Sequence, residues 1–325
     1  MPEITYREAI SQALQEELNA DERVFLMGED IGAYGGSYAV TKGFLEAYGE
    51  KRVRDTPISE EAIVGCAIGA AMGGLKPIAE LMTINFSLLA MDQIVNNAAK
   101  ILYMSGGQVP VPFVLRTVSG GGLQLGAQHS QSLESWYAQV PGLVVVAPAT
   151  PYDAKGLLKS AIREPNPVLF VEHSLLYRVR GEVPEGDYTV PIGEADVKRE
   201  GKDVTIVAYL RTLGLALEVA DRLAREEGVE AEVVDLRTLR PLDLEPVFAS
   251  VKKTNRAVIV EDAWQTGGLS GEIAGRIQDE VFDWLDAPVK RLNAPDVPMP
   301  YARNLEQLAL PTADQLYDLV LETLQ

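Results

Sequence analysis

Residues 60–73 read EEAIVGCAIGAAMG, an apolar stretch in which Gly65, Gly69 and Gly73 recur every four residues. This spacing places the three glycines on one face of a helix. Each glycine costs about 1 kcal/mol of helix propensity relative to alanine, so the glycine stripe needs a structural reason. Either another helix of the same chain packs closely against it, or the backbone of a second subunit does.

The acid that opens this stretch is Glu60. A carboxyl group at the start of an apolar helix can lose its hydration and keep its proton near neutral pH. The adjacent Glu61 is expected to be a solvated acid of the first helical turn. Glu60 is therefore a candidate for a site that needs a protonated carboxyl.

Working outward, short apolar runs alternate with helical patterns along the first half of the chain. The predicted strands lie at 24–27, 112–118, 143–147 and 168–171. The predicted helices begin at a Thr5/Glu8 capping box, at Glu60, at Phe86 (running to about Met104) and after the N-cap Thr150. Buried strands that alternate with helices predict a parallel sheet covered on both faces.

After Leu176 the composition changes, and a second series of strands and helices starts at Val204. Residues 178–203 are rich in charge, glycine and proline with little periodicity, which is typical of a linker. We therefore expect a first domain at 1–177, a linker at 178–203 and a second domain at 204–325, each domain of ordinary size.

Net charge and cysteine content exclude several classes of partner and site. The 325 residues contain 47 acids and 29 bases, giving a formal charge of −18, and such a chain repels nucleic acid and anionic membranes. The single cysteine, Cys66, excludes an intrachain disulfide and any multi-cysteine metal site. The N-terminal residues carry no signal-peptide pattern, so a cytoplasmic location is expected, or an organelle matrix if a transit peptide has been removed.

The common nucleotide and hydrolase motifs are missing. The sequence has no G-x-x-x-x-G-K-[ST], no G-x-S-x-G and no H-E-x-x-H, and the glycines of residues 119–126 do not form G-x-G-x-x-G. With only His129 and His173, a histidine-rich metal site is impossible. A self-contained nucleotide-binding oxidoreductase is therefore disfavoured.

Several sequence motifs resemble those of one enzyme family. Glu60, Gly65, Cys66 and Gly69 fit the E-x4-G-Φ-x-x-G pattern of thiamine-diphosphate enzymes, where Φ is hydrophobic. Further matching stretches are 28–30, 55–60, 85–87, 92–94, 104–107, 128–131, 153–157, 241–243 and 296–301. Together they resemble the E1 β subunits of 2-oxo acid dehydrogenase complexes, most closely the pyruvate dehydrogenase type. The resemblance implies two doubly wound α/β domains, a transketolase-like pyrimidine-binding domain and a transketolase-type C-terminal domain.

The resemblance also implies the cofactor, thiamine diphosphate, and the residues around it. Glu60 would hydrogen-bond N1′ of the aminopyrimidine, and Phe86 and Met82 would form walls of its pocket, with core packing as the alternative for both. The resemblance also places Ile58 among the residues that bind the cofactor. Glu29 would lie on the aminopyrimidine side, although a residue that ends a strand can instead cap the next turn.

His129 lies in a polar, glycine-rich loop rather than on an apolar helix face. A free imidazole titrates near pH 6.5, which suits proton transfer. The resemblance implies that His129 assists acyl transfer to a lipoyl group at the mouth of the site. The alternative is an exposed loop histidine without a catalytic role, whereas His173 is expected to be structural.

Some family members bind K⁺, and the resemblance places that site largely on backbone carbonyls. The corresponding positions are Phe113, Ala161, Ile162, Glu164 and Asn166. Glu164 stands where the family often has the shorter Asp, which argues against a bound K⁺.

Members of this enzyme class hold Mg²⁺ and the diphosphate through a G-D-G motif, which this sequence does not contain. The resemblance therefore implies a separate E1 α subunit that holds the metal, an α2β2 heterotetramer, and an E2 component whose peripheral-subunit-binding and lipoyl domains meet E1. Pyruvate is the expected substrate. The alternatives are acetoin or branched-chain 2-oxo acids, or a non-catalytic subunit that only docks E2. An acidic surface on the second domain would suit the basic subunit-binding domain of E2.

Overall fold

The computed structural model describes all residues from Met1 to Gln325. It divides into two compact α/β units, which confirms the predicted fold class. The first unit comprises residues 1–119 and 136–192, and the second comprises 120–135 and 193–325. No helix is long and apolar enough to cross a membrane.

The first unit is built on a parallel sheet. Its strands are β1 (Glu3–Thr5), β2 (Val24–Gly28), β3 (Val53–Asp55), β4 (Lys76–Leu81), β5 (Val114–Ser119), β6 (Val144–Val146), β7 (Val168–His173) and β8 (Arg180–Glu182). Within this unit the sheet order is β6-β7-β5-β4-β2-β3, and all of these pairs are parallel. Strands β1 and β8 form a separate antiparallel ribbon. Parallel strands end at one common edge, so the residues that follow β2, β3 and β4 are neighbours there.

Three helices of this unit begin where the sequence predicts a helix start. The helices of the unit are α1 (Tyr6–Ala20), α2 (Phe44–Tyr48), α3 (Glu60–Met72), α4 (Ala99–Met104), α5 (Glu134–Ala138, which begins in the second unit) and α6 (Pro151–Arg163), with a 3₁₀ turn at Ser174–Arg178. The three that begin as predicted are α1, α3 and α6. Thr5 and Glu8 form the predicted capping box of α1, and Thr150 caps α6. Helix α1 packs against α6.

The single helix predicted from Phe86 to Met104 is instead three consecutive helical forms. A 3₁₀ segment covers Ile84–Ala90, a π segment covers Gln93–Ala98, and α4 completes the run. Both unusual segments pack against α3. Because π turns widen a helix locally, the run shifts the phase of its side chains relative to a regular helix. Apolar spacing alone does not reveal such a change.

The second unit contains a five-stranded sheet in the order β14-β13-β10-β11-β9. The strands of this unit are β9 (Asp196–Arg199), β10 (Val204–Ala208), β11 (Ala231–Asp235), β12 (Thr238–Arg240), β13 (Ala257–Trp264) and β14 (Lys290–Ala294). All of them except β12 belong to the five-stranded sheet. The helices of this unit are α7 (Arg211–Glu226), α8 (Glu245–Thr254), α9 (Leu269–Val281), α10 (Arg303–Ala309) and α11 (Ala313–Leu324), with a 3₁₀ turn at Phe282–Trp284. The sheet pairs are parallel except that β9 runs antiparallel to β11.

The segment 178–203, predicted to be a linker, contains two short strands. β8 pairs with β1, and β9 pairs with β11. Both are edge strands with polar, half-exposed side chains, so they lack the apolar run that marks a buried strand. The loop 120–135 lies far from the second half in sequence but packs into the second unit.

A buried ionic cluster crosses the sheet of the first unit at Arg116. Its guanidinium donates to both carboxylate oxygens of Glu172, at 2.7 and 3.0 Å, and to Glu80 at 2.7 Å. The Tyr177 hydroxyl also donates to Glu172 at 2.7 Å. Burial raises the pKa of Glu172 and opposes the charge of Arg116, but the two carboxylates more than offset that and raise the pKa of Arg116. The cluster therefore balances a charge inside a strand that the sequence presents as apolar.

Replacing Arg116 with Met should reduce the free energy of unfolding by about 3–5 kcal/mol, because it leaves a buried carboxylate without its cation. The change is measured as the shift of the urea midpoint of the chain. Arg23→Ala serves as the control, since it breaks an ion pair with Asp21 in which Arg23 is 58% exposed. Equal midpoint shifts for the two variants would contradict the assigned role of Arg116.

Candidate functional site

Two acids, Glu29 and Glu60, lie at the carboxyl edge of the first sheet. Glu29 directly follows β2, and Glu60 is the first residue of α3. The Thr56 N–H donates to the Gly28 carbonyl at 3.0 Å, which ties the segment before Glu60 to the end of β2. Each acid is only 6% exposed. The fold thus brings two of the predicted site residues together as a buried acid pair.

The surroundings of Glu29 disfavour its charged form. Burial is the main cause that raises the pKa of Glu29, and the nearby charges of Glu60 and Asp30 raise it further. Its Oε1 atom is buried and has no hydrogen-bond partner. A buried acceptor without a partner is rare in folded proteins and calls for an explanation such as a ligand.

The loop after Glu29 is held by Asp55, which sequence analysis did not single out. The carboxylate of Asp55 accepts hydrogen bonds from the N–H groups of Gly32 at 2.6 Å and Ala33 at 3.1 Å. A Cβ on Gly32 would lie 2.9 Å from that carboxylate, so glycine permits the close approach. The sequence did contain a signal for this contact: Asp55 is the last residue of β3, and a glycine-rich loop follows the neighbouring strand β2.

The predicted walls of the cofactor pocket follow β4, the neighbour of β2 in the sheet. Met82 and Phe86 are both half-buried, so neither is a fully packed core residue. Phe86 lies in the 3₁₀ segment that packs against α3. Ile58 is 81% exposed just before Glu60. An acid pair, an aromatic ring and a thioether at one sheet edge fit an aminopyrimidine ring, which needs a hydrogen-bonding carboxyl and apolar faces.

His129 lies in the second unit, in the loop 120–135 that precedes α5. It is exposed, and its backbone N–H donates to the Gly126 carbonyl at 3.2 Å. Its position in a loop therefore agrees with the sequence pattern, while its catalytic role stays a prediction. His173 is 1% exposed, and its Nδ1 accepts the N–H of Leu175 at 3.2 Å.

Several of the positions considered for K⁺ have hydrogen-bond partners within the chain. The Phe113 carbonyl accepts the N–H of Val168 at 3.0 Å, and the Glu164 carboxylate accepts the Asn166 amide at 2.6 Å. Ala161 and Ile162 are buried in the last turn of α6. A carbonyl oxygen has a second lone pair, so K⁺ binding by Phe113, Ala161, Ile162, Glu164 and Asn166 stays a prediction.

The glycine stripe of α3 is left uncovered by the chain at Gly69. A Cβ on Gly69 would have no heavy atom within 4 Å, and one on Gly65 would meet only the side chain of Gln93, at 3.6 Å. Close packing inside the chain therefore does not account for Gly69, whereas Gly65 lies within contact distance of Gln93. On the same helix Cys66 is exposed and lines a surface cavity of about 720 Å³ together with Phe25 and Leu75.

Comparison with known families matches both halves of the chain. The family described as "Transketolase, pyrimidine binding domain" matches residues 2–180, and "Transketolase, C-terminal domain" matches residues 193–316. Among solved structures, a split-gene transketolase described as an inactive β4 tetramer has a TM-score of 0.80 and 26% identity, covering 99% of this chain and 98% of that one.

Curated relatives are more similar in sequence. A mitochondrial pyruvate dehydrogenase E1 component subunit β-2 from rice is 51% identical over 97% of this chain and 84% of the relative. The pyruvate dehydrogenase E1 β subunit of Rhizobium meliloti is 50% identical over 98% of this chain and 70% of the relative. The mitochondrial subunit from rat is 48% identical over 99% and 91%. With half of its residues identical over nearly its whole length, this chain belongs to the family of pyruvate dehydrogenase E1 component β subunits.

Proposed function

We propose that this chain combines with an E1 α subunit in an α2β2 heterotetramer that oxidatively decarboxylates pyruvate and transfers the acetyl group to the lipoyl group of E2. The observation that carries the proposal is the buried acid pair, Glu29 and Glu60, at the carboxyl edge of the first sheet. Thiamine diphosphate supplies the electron sink for decarboxylation when it is bound. The three relatives described above are named for pyruvate dehydrogenase, and their names give no support to acetoin or branched-chain 2-oxo acids.

Glu60 is the residue that meets N1′ of the aminopyrimidine in this proposal. Burial and the nearby charges of Glu60 and Asp30 raise the pKa of Glu29, so the surroundings of the acid pair disfavour its charged form. Glu60 would form the hydrogen bond to N1′. Phe86 and Met82 exclude water from the ring faces, and Ile58 extends from the segment before Glu60.

The other half of the cofactor site belongs to the α subunit. This sequence has no G-D-G motif, so the α subunit would hold Mg²⁺ and the diphosphate. The glycine stripe of α3, uncovered at Gly69, supports a close contact with another subunit, because a backbone can approach where no Cβ intervenes. We also propose that K⁺ binds at the five positions given above, mainly through their backbone carbonyl oxygens.

His129 serves the transfer step. In the transfer step the two-carbon unit would be oxidised to the acetyl level as the lipoyl S–S bond is reduced. Its bond to the cofactor and the S–S bond would break, a C–S bond would form, its hydroxyl proton would leave, and the freed sulfur would take up a proton. An exposed imidazole in a loop can reach a group carried on another protein, and proton transfer by a placed imidazole contributes about 10²–10⁴-fold to a rate. Glu60 and His129 therefore act in different steps.

Replacing Glu60 with Gln should lower the rate of pyruvate oxidation by about 100-fold or more, because an amide cannot exchange a proton with N1′. The rate is measured on the reconstituted α2β2 enzyme with pyruvate, 2-oxoisovalerate and acetoin as separate substrates. Glu61→Gln is the matched control, since Glu61 is the exposed neighbour on the same helix turn. Full activity of Glu60→Gln would overturn the proposed site, and a preference for another substrate would overturn the choice of pyruvate.

The raised pKa of Glu29 makes a prediction about stability and pH. Since its folded-state pKa lies above the ordinary value of 4.5, the group contributes its full stability below pH 4.5 and loses it as the pH rises through the folded pKa. Glu29→Gln is neutral at every pH, so it should raise the melting temperature at pH 8 and change it little at pH 4. Thermal unfolding of the chain at both values tests this. If Glu29→Gln lowered the melting temperature equally at pH 4 and pH 8, ionised Glu29 would not destabilise the folded chain, and the prediction would be wrong.

For E2 we propose a docking surface at the end of α9. Residues 278–285 contain Asp279, Glu280 and Asp283 and no basic side chain. Phe282 and Trp284 lie among them and are 59% and 50% exposed. Acids beside exposed aromatic rings suit a partner rich in lysine and arginine, which gains both ion pairs and cation–π contacts.

Replacing both Asp279 and Asp283 with Lys should weaken binding of the E2 subunit-binding domain by about tenfold at low salt, because attraction becomes repulsion. The difference should shrink as salt is raised, since exposed charges are screened. Binding of the domain to α2β2 at several salt concentrations measures both effects. Glu46→Lys, an exposed acid of the first unit, is the control. Binding that is independent of salt and of the double substitution would exclude this surface.

A further inference from the structure

The loop that carries His129 begins with an alternating backbone. Residues 120, 122, 124 and 126 have φ angles of +83°, +106°, +58° and +77°, so every second residue is left-handed. Three of them are glycines, but Gln124 is not, and a non-glycine residue in this region costs about 1–2 kcal/mol. Alternating right- and left-handed residues turn successive N–H groups toward one point, which creates an anion-binding nest.

A carboxylate of the same unit fills this nest. The N–H groups of Gly122 and Gln124 both donate to Oε1 of Glu306, each at 3.0 Å, and Gln124 also donates to Oε2 at 3.1 Å. Glu306 lies on α10 and is 2% exposed. The glycine-rich stretch is therefore an anion site, and its anion is supplied by the chain itself.

Neighbouring contacts fix the loop around this carboxylate. A Cβ on Gly121 would lie 3.0 Å from Cε of Met299, so the loop backbone packs closely on the segment that leads into α10. The Gly120 N–H donates to the Gln131 carbonyl at 3.1 Å and closes the base of the loop. At the far end of the nest, Gly126 accepts the N–H of His129 at 3.2 Å.

We propose that Glu306 is the positioning residue for His129. Its carboxylate holds Gly122 and Gln124, which sets the course of the chain through Gly126 and so places the imidazole for acyl transfer. Charge-assisted hydrogen bonds of this kind are about twice as strong as neutral ones, which suits a contact that must hold a left-handed Gln124. This inference rests on the proposed role of His129, and Glu306 itself touches neither substrate nor cofactor.

The test compares Glu306→Ala and Glu306→Gln in the reconstituted α2β2 enzyme, with Gln307→Ala, an exposed neighbour on α10, as the matched control. Two reactions are measured: acetyl transfer to a free lipoyl domain, and pyruvate decarboxylation coupled to a dye oxidant, which bypasses transfer. Amide hydrogen exchange of residues 120–128 reports the loop directly. Acetate is added as a replacement carboxylate for the nest of Glu306→Ala.

Glu306→Ala should speed amide exchange in the loop and slow acetyl transfer by about 10- to 100-fold, while dye-coupled decarboxylation stays within about threefold. Glu306→Gln should lie between wild type and Glu306→Ala, because its amide oxygen still accepts but carries no charge. Acetate should restore part of the loop protection and of the transfer rate. Equal losses in both reactions, or no rescue by acetate together with unchanged transfer, would overturn the inference.

His129→Ala separates this inference from the function on which it rests. If His129→Ala loses transfer and Glu306→Ala does not, Glu306 has no positioning role and the function of His129 stands. If His129→Ala retains full transfer, the proposed role of His129 fails and the positioning role falls with it. Loss of transfer in both variants, with dye-coupled decarboxylation retained in both, supports the two together.

Discussion

The buried acid pair of Glu29 and Glu60 is the constraint on which the candidate site depends. Moving a carboxylate out of water is expensive unless it is paired or protonated, and the charges that act on Glu29 are acids. The same unit solves this problem elsewhere with Arg116, which neutralises Glu172 and Glu80 inside the sheet. Acids inside this unit can therefore be neutralised by a buried cation, as Glu172 and Glu80 are by Arg116. At the acid pair the chain leaves Glu29 Oε1 without a hydrogen bond.

The sheet geometry explains how this strained pair is kept in place. Gly28 on β2 is aligned with Asp55 on β3 and with Glu80 on β4. Asp55 then fixes the loop beyond Glu29 through two backbone N–H groups, while its own chain continues into Glu60. One short strand thus controls both acids, and rigid neighbours compensate for the unfavourable electrostatics. Function at such a site is obtained at the expense of stability.

Local signals in the sequence predicted the regular elements well. The capping residues Thr5 and Thr150 begin helices as expected. Features that depend on distant contacts were missed. Arg116 lies in an apparently apolar strand because its partners come from two other strands, and edge strands β8 and β9 carry polar side chains. The 3₁₀ and π segments after Ile84 follow packing against α3 rather than local propensity. Within the site, the sequence indicated Glu60, Glu29 and the loop position of His129, but not Asp55 or Glu306, since a carboxylate that binds a distant backbone N–H leaves no periodic pattern.

In the second unit the N–H groups of Gly122 and Gln124 in the His129 loop are hydrogen-bonded within the chain, whereas in the first unit a buried oxygen of Glu29 has no hydrogen-bond partner. The nest of the His129 loop is a strong anion site, and the chain occupies it with Glu306, so that loop needs no external ligand to be ordered. The acid pair and the glycine stripe remain open: Glu29 keeps an unpaired oxygen, and Gly69 has no neighbour where a Cβ would be. A folded protein tolerates few buried polar atoms without partners. The open groups therefore locate the incomplete part of the molecule at the carboxyl edge of the first sheet and on helix α3. In the proposed assembly, a cofactor and a second subunit bound there would supply the missing hydrogen bond of Glu29 and cover Gly69.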